Sequence, residues 1–321
     1  MTQHYAFNGD ADGICALQQL RLGDLEPAGS LVTGVKRDIN LLERVQAERG
    51  DVVTVLDISL DVNRKPLLAL LERGVSVRYF DHHFAGEIPQ SPLFEGHLDP
   101  APDVCTCLIV DRYLGGLARN WAIVGAFGDS LTNEASTLAK SSGLSAEDEA
   151  HLKELGIIIN YNAYGETVED LHVAPAVLAA EMSTYVDPLG FVHGSETYLV
   201  LRQGYREDIE RTKNLEPRRV TPGALQFILP DAPWARRASG TLANDLAKRH
   251  AGNAIALVSQ RTDGDYLVSL RVPPSSSVTA DAFCRKFPTG GGRSTAAGIN
   301  HLPASELERF SADFEANFRV S

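Results

Sequence analysis

The chain has 321 residues, 44% of them hydrophobic, and 42 acidic against 30 basic side chains give a formal net charge of −12. That length allows two domains or one large one, and so acidic a balance speaks against a long polynucleotide as the main partner, because such a partner needs a basic track to displace counterions. No apolar run is long enough to span a bilayer, and Met1 to His4 lead into strand-like residues without a signal-peptide core, so a cytoplasmic protein with no membrane partner is expected.

Residues 5–7 read as a short strand that ends in Asn8-Gly9-Asp10-Ala11-Asp12-Gly13, and 14–20 as a helix. The Asn-x-Asp-x-Asp-Gly spacing matches the start of a calcium-binding loop. Such a loop needs a helix before it and Glu at its twelfth position, whereas a strand precedes it here and that position is Gln19. Residues 30–35 read as a second strand and 40–47 as a helix with Asn40 as N-cap. Residues 52–56 form a third, almost wholly apolar strand that ends at Asp57. Residues 63–72 are helical, with Leu67, Leu68, Leu70 and Leu71 supplying the inner side.

The next stretch organises the rest. Val75, Val77, Tyr79 and Phe80 mark a buried strand that stops at Asp81-His82-His83, where a turn would ordinarily carry Gly, Asn or Ser. Imidazole binds borderline metals and moves protons near neutral pH. Strand alternating with helix predicts a parallel sheet covered on both faces, and ligands bind such sheets at the carboxyl ends of the strands. Asp10, Asp12, Asp57 and the triplet all follow strands. Carboxylates gathered at one edge repel, and a divalent metal compensates most simply.

Residues 85–102 read as loop, and 104–114 and 118–127 as helices, the second leading to Gly128-Asp129-Ser130. Ser145 opens a capping box for a helix toward Asn160, which Asn162-Ala163-Tyr164-Gly165 would end. Residues 173–185 and 195–213 read as further helices. A boundary is placed at 216–222, giving a catalytic domain over 1–190, a helical connector over 191–220 and a smaller α/β domain over 221–321. In that last part the reading gives strands at 224–229, 254–261 and 266–273, helices at 238–250 and 305–318, a short helix capped by Thr279, and an Asp263-Gly264 hairpin turn. Gly290-Gly291-Gly292-Arg293-Ser294 would let backbone N–H groups and a guanidinium approach an anion. The four cysteines (Cys15, Cys105, Cys107, Cys284) read as reduced packing residues. The short basic pairs Lys36-Arg37 and Arg218-Arg219 are explained as well by a solvated surface as by a ligand.

In this order the pieces resemble the DHH/DHHA1 phosphoesterase family. The matching residues are Asn8-Gly9-Asp10-Ala11-Asp12-Gly13, Asp57, Asp81-His82-His83, Asp129 in Gly-Asp-Ser, and Gly290-Gly291-Gly292-Arg293 with Ala296-Ala297-Gly298. The resemblance implies a parallel-sheet DHH domain, a DHHA1 domain, and a centre of two ions about 4 Å apart, usually Mn²⁺ with Mg²⁺ as the alternative. It implies Asp10, Asp12, Asp57, His82 and Asp129 as ligands, with Asp57 bridging. Asp81 would orient an imidazole, and His83 would meet the scissile phosphate or assist proton transfer.

Two residues depart from the family pattern. Asn8 stands where relatives often carry His or an acid, which puts one ligand of the first ion in question. Arg293 stands where His is usual; it keeps the cation and gains bidentate reach but cannot release a proton. Gly291, Gly292, Arg293 and Ser294 are thus expected to bind substrate, and Asn133 and Glu134 stand near it by proximity alone. The expected activity is metal-dependent phosphodiester hydrolysis of very short oligonucleotides or linear dinucleotides such as pGpG. The alternatives are a 3′-phosphoadenosine 5′-phosphate phosphatase, a RecJ-type single-strand exonuclease, and a non-catalytic nucleotide sensor. No long duplex is expected as a partner, and the reading allows a homodimer.

Overall fold

A computed structural model describes residues 1–23 and 28–319, and the chain divides into two compact units, Met1–Gln203 and Gly204–Ser321. The first is built on β1 (Gln3–Phe7), β2 (Ser30–Val32), β3 (Val52–Leu56), β4 (Ser76–Asp81) and β5 (Phe94–Leu98), which pair in the order β2-β1-β3-β4-β5. Every pairing is parallel. The sheet runs outward from β1 to β2, then crosses back to add β3 on β1's other side. The crevice between the carboxyl ends of β1 and β3 is therefore the topological switch point, where ligands enter such sheets.

Both faces are covered, as the nearly continuous apolar strands require. On one face Ala6, Val53, Val55, Val77 and Tyr79 pack against Leu67, Leu70 and Leu71 of α2 (Arg64–Arg73, ended by left-handed Gly74). On the other lie α1 (Ala11–Gly23) and α3 (Thr106–Tyr113). The remaining helices of this unit are α4 (Arg119–Gly128), α5 (Thr132–Ser141), α6 (Ala146–Asn162), α7 (Pro175–Met182) and α8 (Pro188–Gly194), with α9 (Glu196–Thr212) running across the division. Close approach of α1, α4 and α6 depends on glycine. A Cβ on Gly128 would overlap that of Ala11, and one on Gly156 would overlap the Val124 carbonyl oxygen. Gly128 thus seats the C-terminal end of α4, and Asp129 after it, on the first turn of α1.

The second unit holds a mixed sheet in the order β10-β11-β9-β8-β7-β6. Its strands are β6 (Arg219–Thr221), β7 (Ala224–Leu229), β8 (Ala254–Gln260), β9 (Tyr266–Arg271), β10 (Gly290–Gly292) and β11 (Ala296–Leu302). Helix α10 (Pro233–Arg249) joins the parallel pair β7 and β8, α11 (Ala280–Cys284) precedes β10, and α12 (Leu307–Phe318) closes the chain. Phe283, Phe287, Phe310, Phe314 and Phe318 form the aromatic core between α11, α12 and the sheet.

Several readings of the sequence change. Residues 40–47 are not an α-helix: only Leu41–Arg44 makes one 3-10 turn, and the Asn40 side chain caps nothing. The capping is done from afar by Asn63, which accepts from the Leu42 N–H (3.2 Å) and donates to the Ile39 carbonyl (2.7 Å). The loop expected over 85–102 contains β5, whose Phe-Glu-Gly-His-Leu sequence lacks a clean apolar alternation. Helices α5 and α8 were not anticipated. The segment placed at the boundary contains strand β6. The glycine run is a strand, not an open anion cradle. The Gly290 N–H bonds the Phe287 carbonyl (2.9 Å), the Gly292 N–H bonds Asp281 (2.8 Å) and the Arg293 N–H bonds Ala296 (2.8 Å). Glycine is required there because a Cβ on Gly290 would overlap the Cys284 carbonyl oxygen.

Candidate metal centre

β1 ends at Phe7, and Asn8 to Asp12 turn straight into α1. Asp10 starts that helix: its Oδ1 accepts the N–H groups of Asp12 (3.0 Å) and Gly13 (3.2 Å), which satisfies donors a helix start leaves open. Asp12, in the first turn of α1, does the same for another helix. Its two oxygens accept the Thr106 and Cys107 N–H groups of α3 at 2.7 Å each. The two motif aspartates are thereby held rigidly by backbone, and both are buried.

Asp57 follows β3 in the left-handed region, with φ +57, a conformation unusual outside glycine but tolerated by Asp. Its N–H bonds the Phe80 carbonyl (3.0 Å), and the Thr106 hydroxyl donates to its Oδ1 (3.2 Å). β4 delivers the triplet. The His82 Nε2 lies 3.4 Å from Asp57 Oδ1 and 4.0 Å from both Asp12 Oδ2 and Asp129 Oδ2. Three carboxylates from three parts of the chain therefore surround one imidazole nitrogen. The His83 Nδ1–H donates to Asp81 Oδ1 at 2.7 Å, while 44% of the His83 side chain stays exposed. Asp81 is fully buried and orients the second imidazole.

The electrostatics of the bare site favour a cation. Burial, then the charges of Asp12, Asp10 and Asp129, push the Asp57 carboxyl well above the usual carboxylate range. Burial likewise raises Asp129. Asp129 Oδ2 and Asn8 Oδ1 are buried without a hydrogen-bond partner among the described residues. Desolvated like charges with open lone pairs are what a divalent ion would relieve. The side-chain groups Asp57/His82/His83 and Asp12/His82/Asp129 each bring ligand atoms within 4.8 Å of one another. Oxygen donors with imidazole suit Mn²⁺ or Mg²⁺.

Asp10 behaves differently. Burial alone would raise its pKa, but the charge and hydrogen bond of Lys36, with the Gly13 N–H, carry it below the ordinary value. Its Oδ2 is ion-paired with Lys36 Nζ, which also donates to Asn160 Oδ1 (2.9 Å) and lies over the Tyr164 ring at 5.7 Å. The surface reading of Lys36 is thus corrected, while Arg37 beside it is exposed. Only the burial of Asp10 and the position of Asn160 at the end of α6 reveal the pairing, and neither is local in sequence. In the second unit Arg293 and Ser294 are exposed at the β10–β11 turn, flanked by Gly291 and Gly292. Asn133 and Glu134 lie in the first turn of α5, the first exposed and the second half-buried. Among the described residues no helix is long and apolar enough to cross a membrane.

No family model matches the sequence, and no curated protein matches it. Solved structures are similar in fold. A manganese-bound exonuclease RecJ aligns with TM-score 0.58 and 19% identity over 98% of this chain and 89% of its own. RecJ with Mn²⁺ from Thermus thermophilus gives 0.63 and 20% over 98% of this chain and 51% of its own, so this chain spans about half the length of that protein. The pGpG-specific phosphodiesterase PggH from Vibrio cholerae gives 0.56 and 11% over 99% and 100%. The chain shares its fold with these RecJ and PggH structures.

Proposed function

We propose that this chain is a metal-dependent phosphodiesterase that hydrolyses very short oligonucleotides or linear dinucleotides such as pGpG. The observation that carries the reading is the convergence of Asp12, Asp57 and Asp129 on His82 Nε2 at 3.4–4.0 Å, beside an exposed His83. Those four residues would hold a divalent ion, Mn²⁺ or Mg²⁺. When bound, such an ion supplies Lewis acidity to a phosphoryl oxygen and lowers the pKa of water.

The side chains do the rest. The α3 N–H groups fix Asp12, and the Thr106 hydroxyl aims Asp57, so the donors are set before a ligand arrives. With Nδ1 committed to Asp81, His83 turns Nε2 outward, where it contacts the scissile phosphate or passes a proton to the leaving oxygen. Arg293 suits a terminal phosphate, which a guanidinium meets with two parallel N–H donors. The net charge of −12 favours a short substrate, and the fold aligns over 99% of this chain with the phosphodiesterase specific for pGpG.

Product analysis over time tests this. Purified protein with Mn²⁺ would be given pGpG, a ladder of short RNAs, long single-stranded DNA and 3′-phosphoadenosine 5′-phosphate. Rapid conversion of the dinucleotide to mononucleotides, abolished in an Asp81→Ala/His82→Ala variant, is expected. Long single strands degraded as fast as pGpG would instead make it a RecJ-type exonuclease. Release of inorganic phosphate from the last substrate alone would make it a phosphatase.

A further inference from the structure

We propose that Lys36 fills the place of a second cation, so that the centre works with one divalent ion and one fixed ammonium. The inference rests on the metal-dependent reading above but departs from the two-ion expectation. It starts from Asp10. Both oxygens of that carboxylate are engaged within the protein: Oδ1 by the Asp12 and Gly13 N–H groups, Oδ2 by Lys36 Nζ. Oδ2 keeps one lone-pair site, but an ion bound there would sit directly beside the Lys36 ammonium.

Lys36 is not a mobile surface side chain that an incoming ion simply displaces. Its N–H bonds the Ala163 carbonyl at 2.9 Å, its own carbonyl accepts from the Asn8 amide at 3.4 Å, and its ammonium is held by Asp10 and Asn160. The side chain is only 22% exposed. The residue is thus pinned at both ends, and the segment carrying Asn160, Ala163 and Tyr164 forms a socket for it. Two of its three ammonium donors are used inside the socket, which leaves one for a phosphoryl oxygen.

The donor inventory agrees. Among the described residues, the groups able to gather around a metal contain Asp12, Asp57, Asp129, His82 and His83, but not Asp10. Position 8, at the same end of the site, offers a neutral amide oxygen in place of an imidazole or carboxylate. A divalent ion beside an ammonium is repelled, and neutral Asn with a committed Asp gives it little in return. The substitution is chemically coherent: Asn8 lowers the demand for a cation there, and Lys36 supplies the single charge that Asp10 needs.

Metal stoichiometry and electron paramagnetic resonance of the full chain test this without relying on activity. A His301→Ala background removes the exposed Asp263/Asp265/His301 group from the count. In that background Mn²⁺ titration should give one ion per chain with an uncoupled spectrum. An added Asn8→His/Lys36→Met pair should raise the count to two and produce an exchange-coupled signal. Two coupled ions with Lys36 and Asn8 intact would overturn the inference and leave the proposed function standing, as would a count that stays at one in the double variant. No bound ion in any form would overturn the metal-dependent reading itself.

Discussion

Asp12 carries two loads, and replacing it separates them. In the metal-free protein Asp12→Ala strips two acceptors from the start of α3, leaving the Thr106 and Cys107 N–H groups buried without partners. Each orphaned donor costs about 1–3 kcal/mol, so the loss is roughly 2–6 kcal/mol. Against it stands relief of repulsion, since Asp12 contributes to the upward shifts of Asp57 and Asp129. That relief is limited because carboxyls already driven toward protonation repel little, and it is about 1–2 kcal/mol at an effective interior dielectric. The difference is roughly 0–5 kcal/mol, centred near 2.5, so a net destabilisation is expected. In a unit of this size about 2–4 °C accompanies each kcal/mol, so at that centre the melting temperature should fall by about 5–10 °C. Asp12→Asn keeps one acceptor and should lose about half as much. The assay is thermal unfolding by circular dichroism at pH 7 in EDTA. An alanine variant that melts at or above the wild type would refute the reasoning, because charge relief and not capping would then dominate.

Thr106→Val keeps the side-chain shape but removes the hydroxyl that donates to Asp57. It should weaken Mn²⁺ binding about 10–100-fold by calorimetry, and an unchanged affinity would show that Asp57 needs no such aim. Gly290→Ala should destabilise the second unit by about 1–3 kcal/mol through overpacking. Gly291→Ala should be tolerated, because its Cβ would meet only Asp281 Oδ1 at 3.9 Å; equal denaturation midpoints for the two variants would contradict this. Asp51 accepts the Thr2 and Glu48 N–H groups, which hold its carboxyl down to about 2 against an ordinary 3.8. A depressed folded-state pKa adds stability above the unfolded value and loses it as pH falls through the folded one. The stability gap between wild type and Asp51→Asn should therefore be level above about pH 5 and close between 3.8 and 2. A gap that persists at pH 2 by chemical denaturation would count against the assignment.

Much of this was legible in the chain itself. β1, β3 and β4 announce themselves by short β-branched and aromatic runs; β3 and β4 run into Asp57 and the Asp81-His82-His83 triplet, and β1 into the loop that carries Asp10. Ser145 caps α6 through the Asp148 N–H, and Thr279 caps α11 through the Ala282 N–H, as their positions indicated. Such signals are local: a strand's periodicity and a cap's hydrogen bond both close within a few residues.

What was missed depends on partners far along the chain. Asn63 holds the turn at Leu41–Arg44 across 21 residues, so no helix forms where the local pattern suggested one. β5 has little apolar signal of its own and is a strand because β4 offers it a free edge, with Phe80 stacked on His97 at 4.4 Å. The role of Lys36 is the clearest case. The sequence by itself determined most of the carboxylates and imidazoles that reach the sheet edge, because Asp57 and Asp81-His82-His83 end or directly follow their strands and Asp10 and Asp12 lie on the turn from β1 into α1. Only the tertiary structure decided that Asp10 is paired with a lysine 26 residues away and backed by Asn160, because a buried charge takes whichever counter-charge the fold brings within reach.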